Sequence, residues 1–232
     1  MQTSIARIGF WASLMAFLAM VAYCVVQLLQ VAGVLHFPLD GQLIYSTSLC
    51  IVLPFLLAML ALHYTAAGAK KFWSHAALVL SILYAVFVTA NYVVQLATVI
   101  PAKLHGTDSD IRVLDQTPHS LFWDFDALGY IFMGLAMLLA LPAFEKSDKW
   151  VRIFFLSNAM VTPLISVVYF YPTFSVKLLF LGFPWAVTAP GAMLTLALLF
   201  RKREKEQRLL RKPAEEKTSM VSRTAIKRRT SL

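Results

Sequence analysis

A carboxylate inside an apolar stretch is the feature of this chain most able to do chemistry. The stretch 118–142 opens near Trp123-Asp124-Phe125-Asp126 and reaches Tyr130 one turn later. On a helix, residues two apart point to nearly opposite sides. Asp124 and Asp126 therefore do not share a site, and a paired acid–base dyad is not expected. Asp126 shares a face with Gly129, Tyr130 and Met133, whereas Asp124 shares one with Ala127, Leu128 and Ile131. The tyrosine-bearing face predicts Asp126 as the inward carboxylate. Asp124 is expected at headgroup level, where it complements the positive end of its helix. Placed inward, Asp126 could bind a cationic group, or work with Tyr130 as acid and base on a lipid-like substrate.

Further polar residues fall on stripes of helical spacing. The first apolar stretch carries Tyr23, Gln27 and Gln30, the third Tyr84, Asn91 and Gln95, and the fifth Asn158, Thr162, Ser166 and Tyr169. An unpaired amide or carboxylate among acyl chains is costly, so these side chains should turn inward. The expected arrangement is an outward-opening pocket lined by Gln27, Asn91, Gln95, Asp126, Tyr130 and Ser166, and ringed by Tyr23, Tyr84 and Tyr169. The competing arrangement is interhelical glue, in which amides and hydroxyls join helices at about 0.6 kcal/mol each.

Motifs for other chemistry are missing. His36, His105 and His119 accompany Asp108, Asp110 and Asp115 between the stretches, but without HxxxH or HExxH spacing, so no metal site is assigned. There is no Walker loop, GxSxG or Gly-rich dinucleotide turn, so no cofactor and no catalytic residue are expected. Cys24 and Cys50 show no CxxC spacing and read as small buried hydrophobes.

The elements that must position these residues are transmembrane helices. The 232 residues are 59% hydrophobic and only 14% charged, against about a quarter charged in a soluble domain. Six blocks, 8–34, 42–66, 72–101, 118–142, 150–172 and 175–200, meet the length of about 20 apolar residues needed to span a bilayer. Backbone groups in lipid must bond within their own segment, so each block is read as a helix and the fold class is all-α. The first block is too long for a cleavable signal and is expected to be retained. Pro184 and Pro190, with Gly182 and Gly191, predict a kinked sixth span.

Basic residues flank the spans unevenly. Arg7, Lys70, Lys71, Lys146, Lys149, Arg152 and the twelve Lys/Arg of the tail lie on one side, and Lys103, Arg112 and Lys177 on the other. The positive-inside rule then places both termini in the cytoplasm of a multi-pass cell-membrane protein. Residues 1–200 form the expected six-helix bundle. Residues 201–232 form a basic tail that extends the last helix by a few turns and is disordered beyond Pro213. Such a tail attracts anionic lipid headgroups; nucleic acid is not an expected partner, since no basic folded face can be assigned. Arg228-Arg229-Thr230-Ser231 matches a basophilic kinase pattern, and Thr230-x-Leu232 a carboxylate ligand for a PDZ-type groove.

Three runs carry a resemblance: Phe125-Asp126-Ala127-Leu128-Gly129-Tyr130 with Gly134-Leu135, Val168-Tyr169-Phe170-Tyr171-Pro172, and Gly182-Phe183-Pro184-Trp185-Ala186-Val187-Thr188-Ala189-Pro190-Gly191. In these the chain resembles uncharacterised bacterial six-helix membrane proteins across nearly the whole span region, excluding the tail. The resemblance implies a six-helix bundle in a bacterial envelope and no activity.

The functional expectation is a membrane protein whose outward pocket binds or transports a small polar or amphipathic molecule, cationic at Asp126. The alternatives are an intramembrane enzyme on a lipid-like substrate and a non-catalytic sensor or partner protein.

Overall fold

The computed structural model describes residues 2–229, with side chains from Ser4 to Leu209 apart from Asp108. The architecture is all-helical, with no strand among the described residues. Among the described residues there are eight α-helices: α1 (Gln2–Val31), α2 (Leu39–Thr65), α3 (Lys70–Val94), α4 (Ile100–His105), α5 (Leu121–Ala140), α6 (Lys149–Phe170), α7 (Val176–Leu179) and α8 (Trp185–Arg229). Six of the elements are long and apolar enough to cross a membrane: Ser4–Val31, Leu39–Thr65, Lys70–His105, Leu121–Ala143, Lys149–Phe170 and Val176–Leu209. Large apolar side chains face outward along them, among them Leu18, Leu53, Val86, Met160 and Val187. In water such a surface would be a liability; in lipid it is the solvated face.

The six spans close into a ring. α1 packs on α2, α2 on α3, α3 on α5, α5 on α6, α6 on α8, and α8 returns to α1. Small residues let these helices approach closely. A Cβ built on Gly134 of α5 would lie 1.7 Å from Thr162 Oγ1 of α6. Inside the ring, Met20, Phe55, Met137, Phe155, Leu196 and Phe200 are fully buried. Cys24 is half-buried and Cys50 exposed, so Cys50 is a surface residue and not the buried one its position in an apolar block predicts.

Two spans are interrupted along their length, and Leu121–Ala143 closes in a 3₁₀ turn at Leu141–Ala143. At the end of α3, Gln95–Val99 form a π-turn in which the Ile100 N–H bonds the Gln95 carbonyl. Pro101 follows at once and has no N–H to continue the α pattern. The sixth span is broken rather than bent. It runs as α7, a 3₁₀ turn at Phe180–Gly182, and then α8 from Trp185 onward, with Pro184 just before the new helix.

The two ends of the ring differ. At the base, α1 begins beside the outgoing part of α8, with the Arg201 guanidinium 5.7 Å from the Phe10 ring centre. Ion pairs join the connections there: Lys70 with Glu145, and Arg203 with Asp148 at 3.6 Å. At the opposite end the segment 106–120 caps the end of the third span and the start of α5, and Lys103 pairs with Asp115 at 2.6 Å. Helix α8 continues through Pro213 to Arg229, the stretch in which sequence composition places a disordered tail. Side chains beyond Leu209 and all of Thr230, Ser231 and Leu232 lie outside the described residues, and with them the kinase and PDZ patterns.

Candidate functional site

The site is built around the second turn of α5. Ser120 caps that helix, its Oγ accepting from the Trp123 N–H at 3.2 Å. The cap fixes the start of α5 and hence its faces. Asp126 is buried at 5% exposure, whereas Asp124 is exposed, as their two-residue spacing requires. The Tyr92 hydroxyl of α3 donates to Asp126 Oδ1 at 2.7 Å, and the Tyr169 hydroxyl of α6 donates to Oδ2. Each carboxyl oxygen thus meets one tyrosine hydroxyl, and the group ties three helices together.

Beside Asp126 lies a cavity of about 20 Å³ at the centre of the ring. Aromatic residues dominate its wall: Tyr23 from α1, Tyr84 and Tyr92 from α3, Tyr130 from α5 and Trp185 from α8. The Trp185 ring stands edge-on to Tyr23 and Tyr130, with centres 5.7 and 5.4 Å away. Among the described residues no Lys, Arg, His or second carboxylate lines this space. Among the described residues no group of three His, Cys, Asp or Glu is placed to hold a metal ion. A volume of this size takes one small group, since a water alone needs roughly 10–15 Å³ of the same measure. Carboxylate oxygens and aromatic faces are the chemistry that holds a small cation.

The six residues the sequence points to divide between four places. Asp126 and Tyr130 line the cavity. Tyr130 does not bond Asp126; its hydroxyl meets that of Tyr23 at 3.2 Å. Gln27 stands one turn further along α1 and accepts from Tyr23 at 3.2 Å. Gln27 then donates to Gln30 at 3.0 Å, and Gln30 to Asp40 at 2.9 Å. A polar track thus runs from the cavity wall to the start of α2.

Asn91 and Gln95 are completely buried and serve the cap. Asn91 Nδ2 donates to Gln116 Oε1 at 3.1 Å. Gln95 Nε2 donates to the Leu114 carbonyl at 2.7 Å, and its Oε1 accepts from the Gln116 N–H at 3.2 Å. Ser166 bonds back to the Thr162 carbonyl of its own helix at 3.0 Å and does not line the cavity. Asn158, on the same stripe, accepts from Thr188 at 3.1 Å and joins α6 to α8. Gln27 thus bonds within its own helix, Asn91 and Gln95 bond the 114–116 segment, and tyrosines line the cavity.

Three contributors escape the stripe argument. Tyr92 lies eight residues beyond Tyr84, with Val88 between, so a tyrosine-based stripe on α3 would have found it. Trp185 starts a helix whose beginning depends on the break before it. Gln116 sits in a segment without helical periodicity, and nothing in the sequence links it to Asn91. No family model, curated protein or solved structure matches the chain.

Proposed function

We propose that this multi-pass membrane protein binds a small polar molecule through a cationic group at Asp126 and exchanges it past the 106–120 cap. The observation that carries the reading is the position of Asp126: one buried carboxylate, held by two tyrosine hydroxyls, on an aromatic-walled cavity with no basic side chain. Leaving such a charge among helices is costly unless something positive completes it. In the closed arrangement the cavity admits a group of ammonium size. A longer molecule needs the wall to move, and Trp185, at the break in the sixth span, is the wall residue with the least regular backbone behind it.

The uneven Lys and Arg distribution favours a cytoplasmic base, with the cap facing outward. The resemblance of the span region to bacterial six-helix proteins supports a place in a bacterial envelope.

The test is a melting-temperature screen of purified wild-type protein and Asp126→Asn in detergent, across small amines, zwitterions, neutral polar solutes and anions. The reading expects a concentration-dependent rise with amines in the wild type that Asp126→Asn lacks. Uptake of radiolabelled methylammonium into proteoliposomes then separates transport from binding alone. If no solute class distinguishes the two proteins, the reading falls.

A further inference from the structure

A second site lies at the base, remote from Asp126. A cleft of about 570 Å³ opens between the start of α3, the end of α5 and the start of α6. Its polar lining is Lys70, Glu145, Lys146, Ser147 and Arg152, over a floor that includes Phe144. Three cations therefore face one carboxylate. That carboxylate, Glu145, is already engaged by Lys70. Lys146 and Arg152 are exposed and make no ion pair among the described residues. The other acid of this loop, Asp148, is turned away from the cleft. It faces Arg203 at 3.6 Å and accepts the Glu145 N–H at 3.1 Å.

The surroundings of the cleft are apolar and outward-facing. Trp150 is 70% exposed, Phe72 71% and Ile153 51%. These lie on the first turns of α6 and α3, where tryptophan and other aromatics mark the level of lipid headgroups. A cleft with surplus positive charge at the edge of an apolar belt fits an anion that carries acyl chains. We infer that this cleft binds the phosphate of an anionic phospholipid, with Lys146 and Arg152 as its principal contacts and Ser147 as an additional donor. The volume falls within the range of small-ligand sites, and a phosphate takes charge-assisted bonds from both residue types.

The experiment is native mass spectrometry of the full chain released from detergent, titrated with phosphatidylglycerol, phosphatidylcholine or inorganic phosphate. Phosphatidylglycerol is expected to bind at least fivefold more tightly than phosphatidylcholine. K146A/R152A should lose about tenfold in phosphatidylglycerol affinity. K202A/K205A, which removes the same charge from α8, should lose little, and K146R/R152K should retain binding. Equal losses in K146A/R152A and K202A/K205A would overturn the site in favour of general attraction to α8. Equal binding of the two lipids would overturn its anion preference. Inorganic phosphate competing at concentrations comparable to the lipid would show that the chains contribute nothing, and would overturn the lipid as occupant.

Discussion

Tyr92 and Asp126 are joined across two helices by a hydrogen bond of 2.7 Å at a site both nearly sealed from solvent. The bond links α3 directly to the carboxyl group of α5. Removing the hydroxyl leaves a carboxylate oxygen without its donor. Hydrogen bonds to charged groups contribute about 1.5–3 kcal/mol, more than the average interhelical bond in lipid. Tyr92→Phe should therefore lower unfolding free energy in detergent by about 2 kcal/mol. Tyr84→Phe is the matched comparison, since Tyr84 lines the same cavity but makes no hydrogen bond to Asp126. It should cost under about 1 kcal/mol. Equal losses would show that Asp126 is not the reason Tyr92 matters.

Gly134 sets the distance between α5 and α6. An added methyl would meet Thr162 Oγ1 at 1.7 Å and Thr162 Cβ at 2.9 Å, so rotating the threonine alone does not make room. Gly134→Ala should destabilise the fold by about 1–3 kcal/mol. Adding Thr162→Ala should recover only part of that loss, because Cβ remains. Gly41→Ala is the control, since its methyl would meet nothing nearer than Ile100 Cδ1 at 3.4 Å. Chemical or thermal denaturation of the three variants in one detergent checks the order.

The fold was readable because lipid leaves the backbone few options. The block expected at 42–66 is a span at Leu39–Thr65, and that expected at 150–172 is Lys149–Phe170. The choice of Asp126 over Asp124 was readable too, since a two-residue spacing on a helix settles which carboxylate can share a face with Tyr130. What lay beyond reach was partner choice. Asn91, Gln95 and Gln27 carry polar groups that must be satisfied, and the sequence says so. It does not say that a loop glutamine, Gln116, accepts from Asn91 and donates to Gln95, because that depends on the path of a segment with no period. Ser166 illustrates the other loss: a serine in a helix can bond its own preceding turn and contribute nothing to a site.

The cap should open without unfolding of the ring. Among the described residues it is held by one partly exposed ion pair, Lys103 with Asp115, and by the buried amide contacts of Asn91 and Gln95. Hydrogen exchange of the 107–117 backbone reports that opening. Lys103→Ala should speed exchange only slightly, since such pairs are worth under about 1 kcal/mol. Gln95→Ala should speed it about tenfold, because two backbone groups lose a buried partner. Raising salt should accelerate exchange in the wild type and leave Lys103→Ala unchanged. If Gln95→Ala exchanges like the wild type, the Gln95 contacts do not hold the cap.

The base offers a test in pH. Lys70 hydrogen-bonds Glu145 and adds its positive charge, which holds the Glu145 carboxyl below the usual carboxylate range. A carboxylate whose folded pKa is depressed contributes stability above its unfolded value, about 4.3. That contribution is lost as pH falls through the folded value, where the ion pair takes up a proton. The melting temperature of the wild type minus that of Glu145→Gln should therefore be constant from neutrality to about pH 5 and shrink below it. Lys70→Ala should remove most of the pH dependence of the difference, since the ammonium is the main cause of the lowered carboxyl and Arg203 adds only a smaller part. A difference that instead grows on acidification would mean that the pair opposes folding at neutral pH, and that the Lys70 contact is not what joins the two connections.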